Sequence, residues 1–451
     1  MRASITSLRP RQGCYDRALA AFRAARFQAC ISELHGLESI AATALRSRAY
    51  LRTGKPAAAL EAVARQGADS NRDRAELALL RAVAASRLGD EAGADRSFVD
   101  ARVYGISSAN VAMIAEASFY LALRAFGRRE LRPAIDLCHR VFEDAATRPM
   151  YGTVGGDIPL PHIVARTQVL LGVINAVDGR YRDQLSDTLA ALATLDEHPV
   201  SDVYEAAFAI RNLAILSRDF DLEEAPLITA RADALAWSSE IAPVKFTTFE
   251  ELGWCAALKG DVVCALQRFR TASATASTPP EEILIAVDRA LVARELGHRA
   301  MAIEECEHAL KLADIYAWES AAGDTRLVLL PLAQIAAWTD PVCARRTLER
   351  YGRIRNAMDE RYAARIEARV SAEEQYTHGV VLRAEGRTAA SIERLELAFT
   401  TWSGIGYDWR AARAALELAE LSAGNVFRLA VARELRRRPE SVFSARARQV
   451  A

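Results

Sequence analysis

The chain has no excess of either charge: 58 lysines and arginines stand against 58 aspartates and glutamates in 451 residues. No whole-molecule field therefore draws it to nucleic acid or to an anionic membrane surface. Paired cysteines are missing as well. Cys14, Cys30, Cys138, Cys255, Cys264, Cys306 and Cys343 are odd in number, widely spaced and never arranged as C-x-x-C. That excludes a disulfide framework and a cysteine-based zinc site, and it points to a reducing compartment. The seven histidines form no H-E-x-x-H or other metal-ligand pair, and Cys306 and His308, two apart on a helix, face different sides. A charge-free run of about 18 apolar residues, the length needed to span a membrane, is also missing. The first residues carry basic side chains but no apolar secretory segment. A cytoplasmic protein is expected.

Catalytic signatures are equally scarce. "YGTVGGD" clusters glycines, but no strand precedes it and no Lys-Ser/Thr follows, so it reads as a loop rather than a phosphate cradle. There is no G-x-S-x-G elbow. The carboxylate clusters around Glu223, Glu281 and Glu304 mostly fall where helices begin, and negative charge there complements the helix dipole. An enzyme would need titratable groups converging in one pocket, and no spacing forecasts such a cluster. Neither catalytic residues, nor a metal, nor a cofactor is expected. Sustained period-two alternation is missing too, which leaves an all-α chain.

What the sequence does have is apolar bulk, 51% against 26% charged, and a repeated layout. In "ELGWCAALKGDVVCALQRFRTA", Glu251 to Ala272, two amphipathic stripes of period 3.6 meet at Lys-Gly-Asp. Gly260 can adopt the left-handed conformation that ends the first helix, and Asp261 can accept from the free amides of the second. Gly253, Ala256 and Ala265 let the two backbones approach, and Phe269 fills the remaining volume. The layout recurs at Ala82, Ala85, Gly89, Asp90, Ala94, Phe98 and Ala101, and again at Ala290, Ala293, Gly297, Ala302, Cys306 and Ala309. Looser copies turn at Gly54, Gly179 and Gly386, and degenerate ones near Arg26, Arg129, Phe220 and Thr339. Turns at this spacing mark a solenoid.

The pattern of small residues, Gly-Asp turn and following Phe resembles the tetratricopeptide (TPR) repeat family over roughly Tyr15 to Leu421, although many units are longer than the family's 34 residues. The resemblance implies a right-handed α-solenoid of about ten helical hairpins, with a subarray over residues 1–147, a Gly/Pro-rich excursion or hinge at 148–164, and a second subarray over 165–423. It also implies that the first helix of each hairpin lines an inner face that binds a protein or peptide. Glu250, Trp254, Tyr376, Arg383 and Arg166 fall on that face by the repeat's layout. Asn175 and Asn212 join them on a different ground, as amides inside otherwise apolar helices. No membrane partner is expected, and self-association is compatible with the same surfaces.

Residues 424–451 hold seven arginines against Glu434 and Glu440, a local charge of plus five. A basic capping helix ending before Pro439 accounts for them. The alternative is a nucleic-acid contact through Arg436, Arg437 and Arg438, which lacks interleaved aromatics and a helix-turn-helix, so nucleic acid is not expected to bind this chain on its own. The stretch from Trp402 to Asn425, with the basic helix after it, resembles the end of the TPR-type sensor region of large bacterial LuxR-type transcription regulators. That resemblance implies a regulatory or scaffold role exercised through another protein.

Overall fold

In five of the hairpins a small residue on the first helix receives a larger side chain from the second, sixteen residues later. A Cβ at Gly253 would meet the Phe269 ring at 2.5 Å, and one at Gly379 would meet Leu395 at 2.6 Å. Ala82 and Phe98, Ala122 and Cys138, and Ala290 and Cys306 repeat the spacing, and all six are fully or almost fully buried. The interval fixes two helices and the turn between them in one register, so the sequence pattern dictates the hairpin.

The computed structural model describes residues 8–146, 158–198, 202–219, 225–238, 241–276, 278–316, 328–362, 368–421 and 424–450. These residues form helices and no strand. In order, the hairpins are α1 (Leu8–Arg23) with α2 (Phe27–Glu33), α3 (Ile40–Arg52) with α4 (Pro56–Ala64), α5 (Asn71–Arg87) with α6 (Glu91–Ser107), and α7 (Val111–Gly127) with α8 (Leu131–Ala146). There follow α9 (Leu160–Val177) with α10 (Tyr181–Glu197), α11 (Val203–Asp219) with α12 (Ala225–Ser238), and α13 (Ala242–Leu258) with α14 (Val262–Thr275). The series closes with α15 (Pro279–Glu295) and α16 (Arg299–Ile315), α17 (Leu329–Ala336) and α18 (Pro341–Tyr362), α19 (Ala368–Ala384) and α20 (Thr388–Gly404), and α21 (Asp408–Glu420) and α22 (Asn425–Arg437), after which comes a short α23 (Ser444–Val450). This is the all-α solenoid of TPR-like hairpins expected from the sequence, eleven hairpins among the described residues where about ten are expected.

The turns match the sequence closely. Gly54, Gly89, Gly179, Gly260, Gly297 and Gly386 all take φ between +73° and +85°. Of the degenerate turns, the one at Arg129 is left-handed at Arg129 itself, φ +62°, and the one near Arg26 at Ala25, φ +55°. The turn near Phe220 lies outside the described residues. At the Lys-Gly-Asp turn the Asp261 carboxylate accepts from Cys264 N at 3.0 Å, as its capping role requires. Pro279 and Pro280 open α15, where the Glu281 carboxylate accepts from Thr278 N at 3.1 Å. The Gly/Pro-rich excursion is largely outside the described residues, and its last part is already helical, since α9 begins at Leu160. That helix alone, among the described residues, is long and apolar enough to cross a membrane by length and composition, and 56% of it is buried.

By internal contacts the chain divides into two units. Unit 1 holds Met1–Ala176, Arg182–Ile210 and Trp237–Ile241, and unit 2 holds Val177–Tyr181, Arg211–Ala236 and Ala242–Ala451. In unit 1, α3 to α8 stack hairpin on hairpin around a core that includes Leu79, Val83, Phe98 and Met113. In unit 2, α13 to α22 do the same, and Trp402, Tyr407, Phe249 and Phe269 are its largest fully buried side chains.

The close approach at Gly253 generates a test. Gly253→Ala forces a methyl group against Phe269 and is expected to destabilise by about 1–3 kcal/mol. Gly352→Ala, in α18 with no neighbour within 4 Å, is expected to stabilise by about 0.5–1 kcal/mol. Urea denaturation of both variants measures the contrast, and equal effects contradict the account.

Candidate functional site

Buried charged residues in this fold concentrate on the first helices, and the two units use them differently. In unit 1, Arg48 and Arg52 are one turn apart on α3 and share a face. Arg48 grips Glu116 of α7 with both terminal nitrogens, at 2.7 and 2.9 Å, and lies 3.6 Å from Glu76 of α5. Arg52 reaches Asp202 at 3.3 Å and Glu205 of α11 at 2.8 Å, with its guanidinium 4.1 and 4.2 Å from the ring centroids of Phe22 and Tyr204. Arg166 of α9 donates through Nε to Glu205 at 2.8 Å and lies over the Phe119 ring at 5.1 Å. Burial alone would raise the Glu205 carboxyl, but Arg166 and Arg52 hold it below the ordinary range. Here each buried charge answers another, and the network ties first helices together.

Arg166, expected to meet a partner, is thus engaged inside unit 1. Asn175 is buried as well, and its amide donates to Asp187 of α10 at 2.8 Å, which couples the two helices of its own hairpin. Asn212 belongs to unit 2, where it is buried and its carbonyl lies 3.4 Å from Arg211 Nη2.

In unit 2 the first helices enclose a cavity of about 220 Å³. Every lining residue comes from a first helix: Arg218 of α11, Glu250 and Trp254 of α13, Asp288 and Leu291 of α15, Gln334 of α17, Glu373 of α19, and Trp409, Arg410 and Arg413 of α21, among others. Trp254 and Trp409 stack at 6.0 Å with their planes 29° apart. Glu250 hydrogen-bonds Asp288, and Trp254 donates to Asp288 too. Burial raises both carboxyls, Asp288 to about 7 and Glu250 well above its ordinary range, helped by the adjacent Glu251 charge. The two therefore retain a proton between them under conditions where isolated carboxyls have lost it. On α21, Arg410 pairs with Glu373 of α19 at 2.6 Å, and the Arg413 guanidinium stacks over Tyr376 at 4.9 Å.

Of the sequence candidates, Glu250 and Trp254 line this cavity together. Tyr376 is buried beneath Arg413 and against Trp402 at 5.4 Å, and it lines a smaller void of about 10 Å³ next to the cavity. Arg383 is paired with Glu417 and Glu420. Of the basic trio, Arg437 is bonded to Asp408 and Arg438 to Glu434, both at 2.6 Å, and Arg436 is exposed. Asp288, Trp409 and Arg413 are not among the sequence candidates, although Asp288 carries the signal that picks out the asparagines, a polar residue within an apolar first helix. The titratable cluster that no spacing forecasts does exist, in the Glu250–Asp288 pair.

The chain matches no family model and no curated protein sequence. Solved structures similar to it include yeast Tom70, at 12% identity and TM-score 0.40, covering 98% of this chain and 92% of that one. The IFIT1 monomeric mutant with Gppp-AAAA gives 13% and 0.36 over 85% and 94%. The APC/C hetero-tetramer Cut9–Hcn1 gives 12% and 0.32 over 98% and 90%. At these values the fold assignment rests on the hairpins themselves.

Two measurements check the electrostatics. A carboxyl raised in the folded state binds its proton more tightly there than in the unfolded chain. Its stabilising contribution is complete below the ordinary carboxylate range and is lost as pH climbs toward about 7. Asp288→Asn removes that loss, so its stability relative to wild type is expected to rise between pH 5 and 8 in thermal melts, and a pH-independent difference contradicts the assignment. In unit 1, Glu116→Ala takes two charge-assisted hydrogen bonds from the buried Arg48 and is expected to cost about 3–5 kcal/mol in denaturant unfolding.

Proposed function

We propose that the chain is a non-catalytic binding module that takes a protein or peptide on the first-helix face of unit 2, in a regulatory or scaffold role. The observation that carries this reading is the composition of the cavity wall, drawn from the first helices of six hairpins and from no second helix. At about 220 Å³ it is smaller than the roughly 300–1,000 Å³ of small-molecule and cofactor pockets, and it suits one large side chain of a docked segment. The likeness of Trp402 to Asn425 to a transcription regulator's sensor region extends the reading to signalling or transcription control through a second protein.

One observation favours a second reading. The Glu250–Asp288 pair holds a proton near neutrality, the property of an acid–base catalyst acting on a small substrate. Against it, the lining contains no serine, threonine, cysteine or histidine, and the two carboxyls direct hydrogen bonds to each other and accept one from Trp254. Turnover lost in Asp288→Asn with substrate binding retained would favour catalysis.

Leu284→Trp, at a lining position of α15, fills the cavity, whereas Leu227→Trp alters an exposed position on α12. A partner captured from cell extract by the wild-type chain is expected to fall at least tenfold in recovery with Leu284→Trp and to be unchanged with Leu227→Trp. Equal recovery from both variants removes the cavity from the reading.

A further inference from the structure

Beyond α22 the chain turns back across unit 2. The Val442 amide donates to the carbonyl of Ala257 in α13 at 2.9 Å, and the Glu440 carbonyl sits so close to Gly260 that a Cβ there would meet it at 2.2 Å. Phe443 stacks on Trp409 of α21 at 6.4 Å, planes 25° apart, and lies under the Arg413 guanidinium at 5.9 Å. Arg446 of α23 then enters an acidic notch, reaching Glu417 at 2.7 Å, Glu420 at 2.8 Å and Glu295 of α15 at 3.3 Å. Residues 440–447 thus lie on α13, α15 and α21, all first helices, next to the cavity and on the face assigned to a partner. They bind there as an extended peptide with a short helical turn would, through one main-chain hydrogen bond, one aromatic stack and one multiply bonded guanidinium.

The notch holds a cation. Glu295 and Glu417 are buried, at 2% and 3% side-chain exposure, and with Glu420 they face Arg294, Arg383 and Arg413, while Arg446 is bonded to all three carboxylates. Arg446, Arg383 and Arg294 push the Glu417 carboxyl down to about 2 against the effect of burial. A void of about 10 Å³ remains between Phe443, Arg446 and the face beneath them, lined also by Trp338 and Tyr376. Two buried atoms of its lining residues, Glu295 Oε2 and Trp338 Nε1, find no hydrogen-bond partner in the protein. Phe443 stays partly exposed. Arg446 likewise keeps 17% side-chain exposure, whereas Ser441, Val442, Ser444 and Ala447 are buried.

We infer that this face of unit 2, from Trp409 to the Glu295–Glu417–Glu420 notch, is a docking site for a partner segment bearing an aromatic residue followed three positions later by arginine, and that Phe443 and Arg446 occupy it in cis until such a segment displaces them. The inference rests on the reading of the first-helix face as a binding surface, and it adds the chemistry of the ligand.

The test uses the full-length chain and a fluorescein-labelled synthetic peptide of residues 439–450, followed by fluorescence anisotropy. Phe443→Ala/Arg446→Ala opens the site and is expected to bind the peptide at least tenfold more tightly than wild type. Adding Glu417→Gln and Glu420→Gln to the opened chain, or replacing the arginine equivalent to Arg446 in the peptide, is expected to abolish that gain. Because the opened variant can lose stability, its helical circular dichroism is checked. In parallel, hydrogen exchange of residues 439–450 in the unaltered chain is expected to rise at saturating peptide. No gain in affinity with helix content intact, or no rise in exchange, overturns the inference. Peptide binding that survives Leu284→Trp supports the ligand chemistry even if the cavity fails its own test, whereas partner loss in Leu284→Trp without any peptide binding overturns the chemistry alone.

Discussion

The close approach of the two helices within each hairpin is the constraint on which the rest depends. A glycine or alanine on the first helix and a filler sixteen residues on, as at Gly253 and Phe269 or Gly379 and Leu395, consume the apolar faces that point into the hairpin. The remaining surface of each first helix is then available for polar side chains, and stacking brings successive first helices alongside one another. Buried charge therefore collects on that side in both units, and the units differ in how it is neutralised.

Unit 1 neutralises it internally. Arg48, Arg52 and Arg166 are answered by Glu76, Glu116, Asp202 and Glu205, with aromatic rings under two of the guanidiniums. Buried ion pairs of this kind add little net stability over apolar packing but are costly to break, so they fix one arrangement of the helices. Unit 2 arranges its buried charge differently in two places. Around the cavity a carboxyl pair keeps a proton, and beside it three glutamates draw in an arginine from a later part of the chain. A surface whose charge is completed from another part of the chain is chemically suited to a group of the same kind.

Much of the hairpin architecture was legible in the sequence, because its determinants are local. A left-handed turn needs glycine, so Gly89, Gly260 and Gly297 announce themselves, and Asp261 reads as a cap from its place after the turn. The site was legible only where the repeat's own geometry reaches it. Glu250 and Trp254 face the cavity because the repeat puts those positions on the inner side. Arg166 lies on a first helix as read, but its partner is 39 residues away, and Arg48 meets Glu116 across 68, distances at which no local pattern shows that a charge is already satisfied. Asp288 gains its meaning from Glu250 and Trp254 on another hairpin, and Arg446 from a return of the chain over α15 and α21. Composition and spacing carry no trace of such convergence.

The most direct measurement of the central claim is a hydrogen-exchange footprint of the full chain with and without a protein it captures. Protection concentrated on α13, α15 and α21 of unit 2, with α14, α16 and α20 unchanged, is the expected result. Protection confined to those second helices, with the first helices unaffected, would contradict the account.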